Sequence, residues 1–168
     1  VMGFKVKHEK GSGWIVLSNL IKDTQQNKTL KVGFLGNKKY PNKGVTTAQT
    51  AYAAEFGNAK KNVPPRPFMR PAINKNKEKW SAIATGLYQQ VLAGKLRFWT
   101  VFDRLGFLVR GDFQKEIKAV NSPPLSEKTV KARIAKRKRG VDTKAIRKPL
   151  VDSGLLFNSV THSLDSDK

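Results

Sequence analysis

The sequence predicts an α+β fold in which a small antiparallel sheet packs against three to four helices, with an extended proline-rich connector and a basic loop outside the regular elements. Three observations predict it. Two long stretches repeat apolar residues every three or four positions, short apolar runs toward the two ends have strand length, and prolines cluster where neither helix nor central strand can form.

Taken in order, Phe4 to His8 alternates apolar and basic residues, as a half-exposed strand does, before a turn at Gly11-Ser12-Gly13. Trp14, Leu17, Leu20 and Ile21 recur at helical spacing and predict a helix over Trp14 to Gln26. Leu30 to Leu35 reads as a buried strand, stopped by Gly36 and the turn-rich stretch Asn37 to Gly44. Thr46 or Thr47 caps a second helix that runs to Phe56, with Gly57 at its C-terminal stop.

Val63 to Pro71 holds four prolines, each without a backbone donor and with φ fixed, so this segment is an extended connector. From about Ala72, a helix marked by Ile73, Trp80, Ile83, Leu87 and Val91 runs to near Gly94. The next carries Phe98, Phe102, Leu105, Val109, Phe113, Ile117 and Val120 on one face, and these two stripes are expected to form most of the core. Gly106 and Gly111 in that helix mark close packing or a bend. Pro123-Pro124 ends it, and Ser126 with Glu127 begins a short basic helix containing Thr129, Val130 and Ile134. A final strand over Ser159 to Leu164 closes the chain.

With 168 residues and 39% hydrophobic content the chain is expected to form a single domain over 1–168. Within it, 1–30 is a variable N-terminal segment, 136–149 a mobile basic loop and 165–168 a polar tail.

The composition is strongly one-sided: 33 lysines and arginines face 12 acids, a formal net charge of +21. Such a chain repels its own copies and attracts polyanions, whether nucleic acid, an anionic membrane surface or an acidic protein. The absence of cysteine excludes disulfides and thiolate metal sites. The longest apolar stretches, Trp14 to Leu17 and Phe107 to Val109, fall far short of the ~20 residues a membrane span requires, so no membrane partner is expected. No export signal is read at the start, and synthesis in a reducing cytoplasm suits the chain.

No catalytic constellation emerges. Asp152, Ser153, Ser159 and His162 are too close in one segment to converge as a triad, and Asp152-Ser153 before an apolar run reads as a helix cap. His8 and His162 are read as surface residues, the acids lack metal-ligand spacing, and Gly33-Phe34-Leu35-Gly36 lacks the further glycine or lysine of a nucleotide loop. No catalytic, cofactor or metal site is therefore expected, and the chain is read as not an enzyme. Glu55-Phe56-Gly57 reads as an exposed acid, a core ring and a cap. Lys136, Arg137, Lys138, Arg139, Lys144, Arg147 and Lys148 form a run with a single acid, Asp142, in 136–149. That run is either a solvated charge run or a set of sequence-independent phosphate contacts on double-stranded DNA.

Four segments occur in a telling order: Ala54-Glu55-Phe56-Gly57, then Pro65-Arg66-Pro67-Phe68-Met69-Arg70-Pro71-Ala72-Ile73, then Pro124-Leu125-Ser126, then Pro149-Leu150-Val151-Asp152-Ser153-Gly154-Leu155. In them, and over roughly Val32 to Leu164, the chain resembles the virion-morphogenesis or tail-completion proteins of tailed bacteriophages, grouped with minor tail and neck proteins. The long proline-arginine-phenylalanine connector is the most specific part. The first thirty residues match no motif of that family, and the lysine-rich stretch after Ile134 exceeds its pattern.

The resemblance implies a non-enzymatic virion component made in the host bacterial cytoplasm. It would assemble with itself as a ring, sixfold, around the DNA channel, next to the tail terminator, tail tube or head connector. Candidate subunit-interface residues are Arg66, Pro67, Phe68, Arg70, Glu55 and Asp152. Phe68 would either fill a neighbour's pocket or anchor its own core, and Arg66 and Arg70 would pair with carboxylates such as Glu55 or Asp152. The alternative is a general, sequence-independent nucleic-acid-binding protein.

Overall fold

The computed structural model describes residues 12–25, 28–41, 44–136 and 146–166. The strand expected over Phe4 to His8 lies outside them. Among the described residues the fold is α+β: six helices and one two-stranded antiparallel sheet. The helices are α1 (Ser12–Thr24), α2 (Thr47–Phe56), α3 (Met69–Leu92), α4 (Phe98–Ala119), α5 (Glu127–Lys136) and α6 (Leu155–Asn158), and the strands are β1 (Lys28–Gly33) and β2 (Thr161–Ser166).

Helices α3 and α4 form a hairpin through residues 93–97, where Gly94 takes φ +69. Lys75 meets Glu116 and Lys79 meets Asp112, so the two helices run antiparallel. Two apolar clusters lie along them. One gathers Ala51, Ala54, Phe68, Ala72, Phe113, Ile117, Leu156 and Val160, and the other Leu87, Val91 and Val101 with Leu20, Phe98 and Phe102 against them. Burial of each large side chain here contributes on the order of 1.5 to 3 kcal/mol. Of the stripe expected on α3, Leu87 and Val91 are buried and Trp80 packs against the core beside the buried Ala72, whereas Ile73 and Ile83 are exposed. On α1 the exposed residues include Leu17 and Ile21, while Leu20 packs inward.

Thr46 resolves the choice of cap on α2. Its hydroxyl accepts from the Gln49 amide at 3.1 Å while the Gln49 side chain accepts from the Thr46 amide at 3.0 Å, a reciprocal capping box. Gly57 ends the helix at φ +79, a conformation costly for any residue with a Cβ.

The extended connector is shorter than expected, because α3 begins at Met69 and takes Arg70 and Pro71 into its first turn. A proline fits there, since first-turn amides have no partner within the helix. From Pro65 to Phe68 the connector alternates like a strand: Pro65 and Pro67 are exposed, Arg66 and Phe68 buried.

β1 and β2 pair from Lys28 with Ser166 to Gly33 with Thr161. Residues 165 and 166 therefore belong to the sheet and not to a free tail, and 28–30 likewise leave the N-terminal segment. The final strand starts two positions later than expected, since Ser159 serves the end of α6, its hydroxyl donating to the Leu155 carbonyl at 2.6 Å. The sheet packs on α4 at Gly106, where an added Cβ would stand 2.5 Å from His162 Cδ2. His162 is half-buried, its ring lying against the exposed Phe107 with centroids 4.5 Å apart.

The basic loop ends sooner than 149. Ile146 and Pro149 are buried, and Arg133 donates to the carbonyls of Ile146, Lys148 and Pro149, tying this stretch to α5.

Candidate functional site

The four motif segments converge on one junction. Glu55, near the end of α2, is only 3% exposed. Its Oε2 accepts from the Phe68 and Met69 amides at 2.9 and 3.0 Å, and its Oε1 from the Arg70 amide at 3.1 Å and Arg70 Nε at 2.9 Å. A carboxylate from one helix thus caps another, occupying donors that α3 could not satisfy itself and lying at its positive end. Burial pushes the Glu55 carboxyl up, but these donors outweigh it and hold the group below its ordinary value.

The reading of Glu55-Phe56-Gly57 is accordingly inverted. The acid is inside, and Phe56 is the exposed residue, 57% accessible, with Tyr52 beside it and the Arg70 guanidinium 5.1 Å from its centroid. Helix spacing places Tyr52 and Phe56 together on the outer face, and the acid takes the inner one. Gly57 leaves no room for a side chain, since a Cβ there would lie 3.0 Å from both Pro65 N and Val63 O.

Among the described residues, Arg66 meets backbone carbonyls and forms no carboxylate pair. Its amide donates to the Ala54 carbonyl at 2.6 Å, and its side chain donates from Nε to Pro123 O at 2.7 Å and from Nη2 to Pro124 O at 2.8 Å. Prolines leave carbonyls that no neighbouring strand has claimed, and a guanidinium fork satisfies two at once. Phe68 is fully buried in its own chain, edge-on to Phe34 at 6.0 Å, so it is a core anchor and not a residue offered to a neighbour. Pro67 and Arg70 stay at the surface. Asp152 is placed 3.6 Å from Arg133 Nε, in a cleft that Arg66 also lines.

Between α2, residues 58–66 and residues 149–156 lies an open cleft of about 650 Å3. Arg66 and Arg133 both line it, with Asp152 and Tyr40. Burial, and then the like charge of Arg133, lower the pKa of Arg66. Tyr40 is raised, first by burial and further by the Asp152 charge, against a hydrogen bond with Thr50.

A second polar cluster holds the hairpin together. Asp112, buried on α4, accepts from Lys79 Nζ at 2.6 Å and Trp80 Nε1 at 2.7 Å. Burial raises its carboxyl, yet the hydrogen bonds of Lys79 and Trp80 and the charges of Lys79 and Lys115 bring it below its ordinary value. Sequence reasoning passed over Asp112, although an acid on the shoulder of an apolar stripe is a visible signal. Arg133 carried no such mark, because the bonds that tie residues 146–149 to it go to backbone carbonyls.

Of the basic run, Arg137, Lys138, Arg139 and Lys144 lie outside the described residues, and Lys136 closes α5. Arg147 and Lys148 are exposed; Arg147 meets Glu127 at 3.2 Å and Lys148 donates to the Lys118 carbonyl at 3.3 Å.

Of the clustered Asp152, Ser153, Ser159 and His162, the two serines make local bonds, while Asp152 meets Arg133 of α5 and His162 packs on α4. Ser153 Oγ accepts from the Leu155 amide at 3.3 Å at the start of α6, whose formal cap is Gly154 at φ +73. Among the described residues, no group of three or more histidines, cysteines or acids is placed to hold a metal, and no helix is long and apolar enough to cross a membrane. No protein-family model, curated protein or solved structure matches the chain.

Proposed function

We propose that the chain is a structural virion protein of a tailed bacteriophage, one subunit of an oligomeric ring around the DNA channel that completes the tail or joins it to the head at the neck. The observation that carries this reading is the convergence of the four motif segments. Two of their charged groups are engaged by backbone, Glu55 by three amides and Arg66 by two proline carbonyls, with Phe68 sealed between. A signature whose polar groups define shape is what an assembly subunit requires. A net charge of +21 opposes self-association, so ring formation is expected to need high salt or an anionic template. Electron microscopy of the purified chain mixed with isolated tail tubes tests the reading: rings seated on tube ends support it. No association, together with normal tails in a deletion, rejects it.

The same excess of charge favours a second reading, a general nucleic-acid-binding protein. Such a protein binds duplex as a monomer with steep salt dependence, whereas a ring subunit binds only when assembled. Light scattering beside a salt-dependent gel shift separates the two.

A further inference from the structure

Each face of α2 has its own surroundings. Ala51, Ala54 and Glu55 go into the core, Gln49, Thr50 and Ala53 line the cleft, and Tyr52 and Phe56 stand outward, 67% and 57% accessible. The two rings lie 4.8 Å apart, and the Arg70 guanidinium sits over Phe56, 5.1 Å from its centroid. Arg70 is itself fixed, donating from Nε to the Glu55 carboxylate and from Nη2 to the Glu55 carbonyl. A buried acid therefore holds a stack of guanidinium, phenyl and phenol in place at the surface.

The charge near this stack is of one sign. From Phe34 to Lys77 the sequence holds a single acid, Glu55, and Glu55 is buried. Lys60 and Lys61 are exposed in the 3-10 turn Ala59–Lys61 that follows Gly57, and the Arg70 side chain is 60% exposed. Lys38 and Lys39 are exposed at the other end of α2, where Lys39 pairs with Thr46.

Open rings on a cationic surface fit a polyanion that also carries flat apolar groups. A second copy of this chain fits poorly, given 12 acids against 33 bases. An anchor side chain of a partner protein needs a pocket, and Tyr52 and Phe56 form a ridge outside the cleft. A duplex keeps its base faces stacked inside, beyond the reach of the rings. A single strand offers phosphates together with open base faces, and base–aromatic stacking needs no pocket.

We infer that Tyr52 and Phe56, braced by Arg70, form a stacking platform for single-stranded nucleic acid, with bases on the rings and phosphates beside Arg70, Lys60 and Lys61. The inference deepens the nucleic-acid reading, on which it rests, by naming the strand type and the face.

The test is fluorescence anisotropy of the full chain with a short labelled thymidine oligonucleotide, an abasic strand of equal length and the corresponding duplex. The ratio of thymidine to abasic affinity cancels the phosphate contribution, which a net charge of +21 makes large over the whole surface. The unaltered chain is expected to favour the thymidine strand roughly tenfold. Tyr52→Ala and Phe56→Ala are each expected to cut that preference by about threefold or more, and Tyr52→Phe to retain it, all with duplex affinity unchanged. Both rings are exposed, so the truncations leave the core intact. Absence of the preference, or a preference that survives both truncations, overturns the inference; duplex binding then leaves the general nucleic-acid reading standing, whereas no binding to any strand removes both. A peptide alternating glutamate and leucine that outcompetes the thymidine strand in the unaltered chain but not in Tyr52→Ala assigns the face to an acidic protein and likewise overturns it.

Discussion

Glu55 and Arg70 are joined by three hydrogen bonds: one carboxylate oxygen of Glu55 accepts from both the backbone amide and the Nε of Arg70, at 3.1 and 2.9 Å, while Arg70 Nη2 donates to the Glu55 carbonyl at 3.1 Å. The guanidinium is 60% exposed, so its ion pair is screened by solvent, whereas the amides of Phe68, Met69 and Arg70 bond a carboxylate that is itself buried. Glu55→Gln keeps the shape and removes the charge, and is expected to cost about 1–3 kcal/mol, read as a lower urea midpoint. Arg70→Gln is expected to cost less than about 1 kcal/mol in the same measurement.

Phe56 and Phe68 make opposite predictions. Phe68→Ala opens a cavity beside Phe34 and Ile117 and is expected to cost about 3–5 kcal/mol. Phe56→Ala removes an exposed ring and is expected to change stability by under about 1 kcal/mol. Thermal unfolding of the two variants side by side checks this.

Gly106 and Gly111 sit in the same helix with different surroundings. Gly111 and, in α3, Gly86 have nothing within 4 Å of an added Cβ, so Gly111→Ala and Gly86→Ala are each expected to stabilise by about 0.4–1 kcal/mol. Gly106→Ala drives a methyl into the His162 ring and is expected to destabilise by about 1–3 kcal/mol despite the gain in helix propensity. Equal shifts in urea midpoint for Gly106→Ala and Gly111→Ala would contradict the packing of β2 on α4.

Acid stability follows from Glu55, Asp112 and Asp165, whose carboxyls are all lowered. Asp165 owes its shift to hydrogen bonds from Lys31 and Ser163 and is solvent-exposed, so Glu55 and Asp112 dominate. A folded value below the unfolded one gives stability that is complete above the unfolded range, near pH 4, and lost as pH falls through the folded values. Urea midpoints are expected to hold level near neutrality and drop below about pH 4, with a shallower acid limb in Asp112→Asn.

Much of this fold was legible in the residues. Thr46 is one of two threonines that the sequence offers as the cap of α2, Gly57 and Gly94 stop their helices, and the stripe from Phe98 to Val120 traces α4 to within a residue of its end. What escaped were relations across distance. Glu55 looks like an exposed acid because the amides it serves lie 13 to 15 positions later, in a stretch whose prolines read as wholly extended. Arg66 looks like a carboxylate partner because carbonyl acceptors have no letter in the sequence. Phe68 was open between neighbour and self, and only the meeting of α2, α3 and α4 decided it.

The pairing of Lys28 with Ser166 has a consequence for synthesis. β1 leaves the ribosome early and waits, unzipped, until nearly every other described residue has been translated. Closing that long loop is entropically slow, so a nascent chain halted before Thr161 would carry a formed helical hairpin and an orphan strand open to mispairing.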